Sequence, residues 1–200
     1  MSRTAATPKR RRLAPEERRR IILAAAETVF AERGFVGASM DEVARQAGVT
    51  KPVVYDHFET KAALFFATAE GVRDELLRRG QSAATETDGE ASFRAAIDAF
   101  FLFVQERPNA ARVLFVTPKS DPIAGEAAAI VQAQARQAIA ARLAPMLSGA
   151  PGREREAMVL FLQKGLHALA EAWLAQSAVP RKEMVDAVMA LAWRGLQPRP

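Results

Sequence analysis

Residues 39–61 read SMDEVARQAGVTKPVVYDHFETK, and their spacing decides the fold. Ser39 suits a helix N-cap, and Glu42 follows three residues later, the pattern of a capping box. Met40, Val43, Ala44 and Ala47 give the short helix that follows one apolar face. Gly48 closes it, in the role that tolerates a positive φ. Thr50 is placed to cap another helix, with Pro52 in its first turn. Val49, Val54 and Phe58 can pack inward. Only the three residues 48–50 separate the two helices, which is the turn of a helix-turn-helix, glycine included.

Upstream, Pro15 stands near a first helical position, and Glu16 and Glu17 lie where carboxylates favour the helix dipole. Ile22, Ala25, Ala26, Val29 and Phe30 share a face, and Gly34 ends this helix. Downstream, a helix of about twenty residues begins at Lys61, with Ala63, Leu64, Ala67, Leu76 and Leu77 apolar. It is expected to end near Gly80, before a polar loop over residues 81–90. Five further helices are expected, over about 91–107, a short one ending near Thr117-Pro118, 121–147, 153–176 and 181–196. No convincing strand alternation and no internal repeat occur, so the chain reads as all-α, with about nine helices.

Charge is placed unevenly. Residues 1–20 carry a net +6 in a chain of net +5, so the other 180 residues sum to −1. A basic block beside a near-neutral body suits a polyanion binder, though a solvated, disordered tail would look the same. Residues 1–14 are expected to be a disordered basic arm. The chain has no cysteine, which excludes disulfides, thiolate metal sites and a cysteine nucleophile. With no apolar leader and no stretch long enough to span a bilayer, the expectation is a cytoplasmic protein without a membrane partner. Neither histidine sits in a ligand-spaced or triad-like cluster, and there is no P-loop or dinucleotide fingerprint. Catalytic residues, a metal site and a cofactor are therefore not expected.

The segments AAAETVFAERGF (residues 24–35) and SMDEVARQAGVTKPVVYDHFETKAALF (residues 39–65) together resemble the DNA-binding domain of the tetracycline-repressor (TetR) family. Spacing, glycines, caps and the YxHFxxK ending agree at once. The resemblance implies a homeodomain-like three-helix DNA-binding domain over residues 15–62. It also implies a helical ligand-binding and dimerisation domain over 63–200. On this reading a homodimer binds palindromic operator DNA, and family habit favours a repressor released by a small, largely apolar effector.

Physical reasoning supports the DNA contacts that the resemblance carries over: Ser39, Thr50, Lys51, Pro52, Val53, Tyr55, His57 and Lys61. The N-terminal end of a recognition helix meets base edges in the major groove. Lys51 can donate to guanine, and Pro52 or Val53 can touch a thymine methyl. Ser39 and Thr50 can cap a helix and meet a phosphate at once; a packed surface histidine is the competing reading of His57. Val53 departs from the hydroxyl often found there. Asp56 would repel a close phosphate and is left out. Arg10, Arg11 and Arg12 suit an adjacent minor groove, and Arg18 to Arg20 suit phosphates.

The C-terminal part is less specific. Phe100, Phe101, Phe103, Phe115, Met146, Phe161 and Trp173 are candidates for an apolar effector pocket, and a plain core is the competing reading. Gln163 and His167 are polar residues in an apolar helix, suited to orient a ligand or to satisfy a buried contact. Leu169, Trp173, Val185, Met189 and Trp193 are candidates for a dimer-forming pair of helices, which would make a four-helix bundle with its copy. The rival from another class is a helical scaffold or peptide-binding protein without sequence-specific DNA binding.

Overall fold

The computed structural model describes residues 14–83, 89–115, 122–175 and 179–193. Those residues form nine α-helices in the order α1 Pro15–Gly37, α2 Met40–Ala47, α3 Lys51–His57, α4 Lys61–Ala83, α5 Gly89–Glu106, α6 Pro108–Phe115, α7 Pro122–Leu143, α8 Gly152–Ala175 and α9 Arg181–Val188. The π-helical turn Met189–Trp193 continues α9. The fold is all-α, as the periodicity predicts. Arg10, Arg11 and Arg12 lie outside the described residues. No helix among the described residues is long and apolar enough to cross a membrane.

Local signals act as the sequence predicts at most helix ends. Ser39 Oγ accepts the Glu42 amide at 3.2 Å, capping α2. Gly48 is left-handed (φ 65°, ψ 29°) and sends its N–H to the Arg45 carbonyl at 3.2 Å, while Val49 N–H reaches the Ala44 carbonyl at 3.0 Å. This is the Schellman closure, which an unbranched glycine enters without a Cβ penalty. Gly34 takes φ 66° and breaks the first helix, yet one more turn follows before Ala38. That turn swings Phe35 back onto Phe30 (centroids 6.1 Å, stacked) and edge-on to Phe65 of α4 (5.4 Å).

Three boundaries differ from expectation. The helix from Lys61 runs past Gly80 to Ala83, and α5 already begins at Gly89, so the polar loop is shorter than residues 81–90. Helix seven stops at Leu143 rather than near 147, because Pro145 cannot continue it. Thr50 makes no side-chain capping bond; Thr60 does, accepting the Ala63 amide at 3.0 Å to start α4.

Two apolar clusters lie along the long axis of α4. The first joins α1, α2, α3 and the start of α4 through Ile22, Phe30, Val43, Val54 and Leu64, and it includes Val113 of α6 and Val131 of α7. The second packs α5, α6, α8 and α9 around Phe101 and Phe103, both fully buried. Ion pairs from Arg181 to Asp98 (3.1 Å) and Arg94 to Asp186 (2.7 Å) strap α9 across α5. Helix α4 thus spans from the helix-turn-helix to the second cluster.

Candidate nucleic-acid interface and effector cavity

Helix α3 turns Val54 (0 % exposed) and Phe58 inward, against the first cluster. The same 3.6-residue period leaves Lys51, Pro52, Tyr55 and Asp56 exposed, with Val53 and His57 half-buried. Ser39 and Thr50 are exposed at the neighbouring helix starts. The structure therefore leaves the residues expected from 39 to 57 exposed or half-buried on the helix-turn-helix. Arg19 joins them from α1, its guanidinium 5.1 Å over the Phe58 ring.

Two lysines carry contacts that the sequence does not announce. Lys51 Nζ lies 3.0 and 3.1 Å from the two carboxylate oxygens of Asp41 on α2, and it stands 6.0 Å over the Tyr55 ring. The hydrogen bond and charge of Asp41 hold the Lys51 ammonium above the ordinary lysine pKa. Lys61 is half-buried, and its Nζ donates to the carbonyls of Ala38 (3.0 Å) and Val36 (3.4 Å) and sits 4.5 Å over Phe35. Its ammonium satisfies backbone acceptors of the α1–α2 connection, so it fastens α4 to that turn. Two of its three donors are engaged there. Thr60, which starts the same helix and is exposed, has the short polar N-cap signature and was missed in the sequence.

A cavity of about 390 Å³ opens in the second half of the molecule. Helix α4 lines it with Arg73, Leu76, Leu77 and Gln81; α5 with Phe93, Ile97 and Phe100; α6 with Phe115; α7 with Gln132, Ile139 and Arg142; α8 with Leu162, Gln163, Leu166 and His167. Met146, just past α7, completes the wall. Of the candidates named from sequence, Phe100, Phe115, Met146, Gln163 and His167 line the cavity. Phe101, Phe103, Phe161 and Trp173 do not. Phe101 and Phe103 are sealed in the core between helices. Trp173 packs edge-on to Phe101 (5.7 Å) and donates from Nε1 to the Val179 carbonyl at 2.8 Å. Phe161 points out of the bundle, 77 % exposed.

The cavity's polar groups are few. Arg73 is held by Asp74 (2.8 Å), Glu70 (3.6 Å) and the Gln134 side chain. His167 stacks at 4.7 Å against Phe115. Burial, and secondarily the charge of Lys164, lowers its pKa to about 4, so it is neutral at pH 7. Gln163 is 1 % exposed and donates from Nε2 to the Gln132 backbone carbonyl at 2.9 Å.

The residues expected at a dimer face pack largely within their own chain. Trp173, Val185 and Met189 are buried within their own chain, and Leu169 and Trp193 are half-buried against the same cluster. Among the described residues, the large apolar side chains left outside on these elements are Leu160, Phe161 and Leu191. Periodicity marks an apolar face of each helix; here that face meets α5 and α6.

The family model described as bacterial regulatory proteins, tetR family, matches residues 22–68, which span α1 to α4. The HTH-type transcriptional activator FasR of Mycolicibacterium smegmatis is 42 % identical over 94 residues, 46 % of this chain and 43 % of FasR. The match thus spans less than half the length of that relative. The HTH-type transcriptional repressor Rv3405c of Mycobacterium tuberculosis is 32 % identical over 141 residues, 65 % of this chain and 75 % of the repressor. Among solved structures, a TetR-like transcriptional regulator from Rhodococcus sp. RHA1 superposes with a TM-score of 0.75 at 26 % identity, covering 92 % of this chain and 98 % of that one.

Proposed function

This chain belongs to the tetR family of bacterial regulatory proteins and is a transcriptional regulator, and from that premise we propose that it is a homodimeric repressor released from a palindromic operator by a small, largely apolar effector. The observation that carries this reading is the course of α4. Its first residue, Lys61, is bonded to the turn between α1 and α2, and its last turns line the cavity through Leu76, Leu77 and Gln81. One rigid element thus touches both the helix-turn-helix and the effector space. A ligand that binds better to one setting of α4 than to another shifts the spacing of the two recognition helices, which must match major grooves about 34 Å apart.

In this reading Lys51, Pro52, Val53 and Tyr55 face base edges and the groove wall. Ser39, Thr50, His57 and the remaining donor of Lys61 meet backbone phosphates, with Arg10, Arg11 and Arg12 in the neighbouring minor groove. The second copy docks on α8 and α9. Phe161, Gly165, Ala168, Ala172 and Ala175 recur at spacings of four, three, four and three along α8, and all but Gly165 are exposed. Ala187, Ala190 and Leu191 continue the exposed apolar surface. Small residues at this period let helices approach closely, as a four-helix bundle requires.

The test is selection of bound duplexes from a randomised pool, followed by titration of the selected duplex. The expected result is an enriched inverted repeat bound by two chains. A pool that stays unenriched would overturn the reading in favour of a helical scaffold.

A further inference from the structure

We propose that the cavity selects an uncharged, predominantly apolar ligand bearing a hydrogen-bond donor, a hydroxyl or an N–H, and that this donor pairs with the side-chain carbonyl of Gln163. The inference rests on the reading of this cavity as the effector site and names the ligand's chemistry.

Gln163 stands in the cavity wall, and its Oε1 is buried with no hydrogen-bond partner among the described residues. The amide orientation is settled by its other end. Nε2 meets the backbone carbonyl of Gln132 at 2.9 Å, and a carbonyl can only accept. Turning the amide over would set two oxygens against each other, so the oxygen is the atom left over. A buried acceptor without a partner is costly, and most such groups in native proteins find one. In a wall made mostly of apolar side chains, with few other polar groups, a ligand donor supplies it. An alkyl group at the same place would keep the carbonyl unpaired.

The charge of the ligand follows from the rest of the lining. Among the described residues, no aspartate or glutamate lines the cavity, so a cation has no counter-charge there. Two guanidiniums line the cavity, and neither is a free cation: Arg73 is held by Asp74 and Glu70, and Arg142 has an interaction of its own. A carboxylate placed against Gln163 would bring oxygen to oxygen. His167, one helical turn along α8 from Gln163, is a neutral neighbour at pH 7. The volume, about 390 Å³, suits a molecule of ordinary effector size.

The experiment is calorimetric titration of the full chain at pH 7.5 with three probes of one chain length: 1-decanol, its methyl ether and decanoate. The ether keeps the oxygen and the chain but lacks the donor. The wild type is expected to bind the alcohol about threefold to tenfold more tightly than the ether, the range of one hydrogen bond. Gln163→Leu and Gln163→Met are expected to bring that ratio close to one by weakening the alcohol alone. Equal affinities for alcohol and ether in the wild type, tightest binding of decanoate, or no binding of any probe overturns the proposal. So does a ratio that the variants leave unchanged. If both variants fail to fold by circular dichroism, the wild-type series alone decides. Release of the selected duplex is read separately by fluorescence anisotropy. Donor-selective binding without release upholds the ligand chemistry and overturns the inducer reading.

Discussion

Arg107 Nη2 lies 2.8 Å from Oε2 of Glu27, a contact that ties the α5–α6 junction to α1. The other arm of the guanidinium reaches Glu75 of α4 at 2.6 Å. Glu75 also meets Arg79 at 2.8 Å, and Arg79 meets Glu106 at 2.7 Å. One planar fork therefore ties two helices, α1 and α4, to the α5–α6 junction at the seam between the two apolar clusters, a geometry that lysine cannot copy.

Arg107→Ala is expected to leave two partly buried carboxylates facing each other. The cost should be about 1–3 kcal/mol, read as a lower urea midpoint at unchanged m-value. Arg107→Lys should recover only part of it. A midpoint unmoved by Arg107→Ala would show the network to be ordinary surface pairing.

Asp41 holds the Lys51 ammonium that the proposed DNA contact needs, so the carboxylate and the DNA compete for it. Asp41→Asn should strengthen binding to the selected duplex and steepen the salt dependence by about one counterion. Lys51→Ala should weaken binding, flatten the slope by about one and relax base preference. Tyr55→Phe should weaken binding without altering the melting curve. Anisotropy titrations at several salt concentrations check all three, and unchanged affinity throughout would remove α3 from the interface.

His167 predicts a pH dependence of stability. Its folded pKa of about 4 lies below the ordinary histidine value of 6.5, so below pH 6.5 the unfolded chain binds the proton more readily. The stability is full above pH 6.5, falls as the pH drops towards 4, and is flat for this group below that. The loss is at most about 3 kcal/mol. Carboxylates titrate nearby, so the quantity to measure is the difference between wild type and His167→Gln in urea unfolding from pH 8 to 3.5. A constant difference across the window would contradict the assignment.

Phe161 and Leu191 are 77 % and 80 % exposed, a solvent cost that a second copy would remove. Phe161→Glu and Leu191→Glu should each shift the chain from dimer to monomer by sedimentation velocity while keeping its helicity. Phe161→Ala should leave effector binding largely intact, because the ring lies outside the cavity. Should both glutamate variants sediment like the wild type, the interface lies elsewhere.

The helix-turn-helix was legible because its determinants are local. Ser39, Gly48 and the 48–50 spacing act within a few residues of backbone, through one capping hydrogen bond and one positive φ. The inward turn of Val54 and Phe58, and hence the exposure of Lys51 and Tyr55, follows from helical period alone. Tertiary structure decided what the period leaves open, namely what each face meets. An apolar stripe reads the same whether it faces a cavity, a core or a second chain. Phe100 and Phe101 are neighbours in sequence, yet only Phe100 borders the cavity. Lys61 has the composition of a phosphate contact, but carbonyls twenty-three and twenty-five residues away claim two of its donors. Gln163 became informative only when the fold brought the Gln132 carbonyl to its Nε2 and left its Oε1 unpaired, because hydrogen-bond satisfaction belongs to contacts between helices and not to spacing along one.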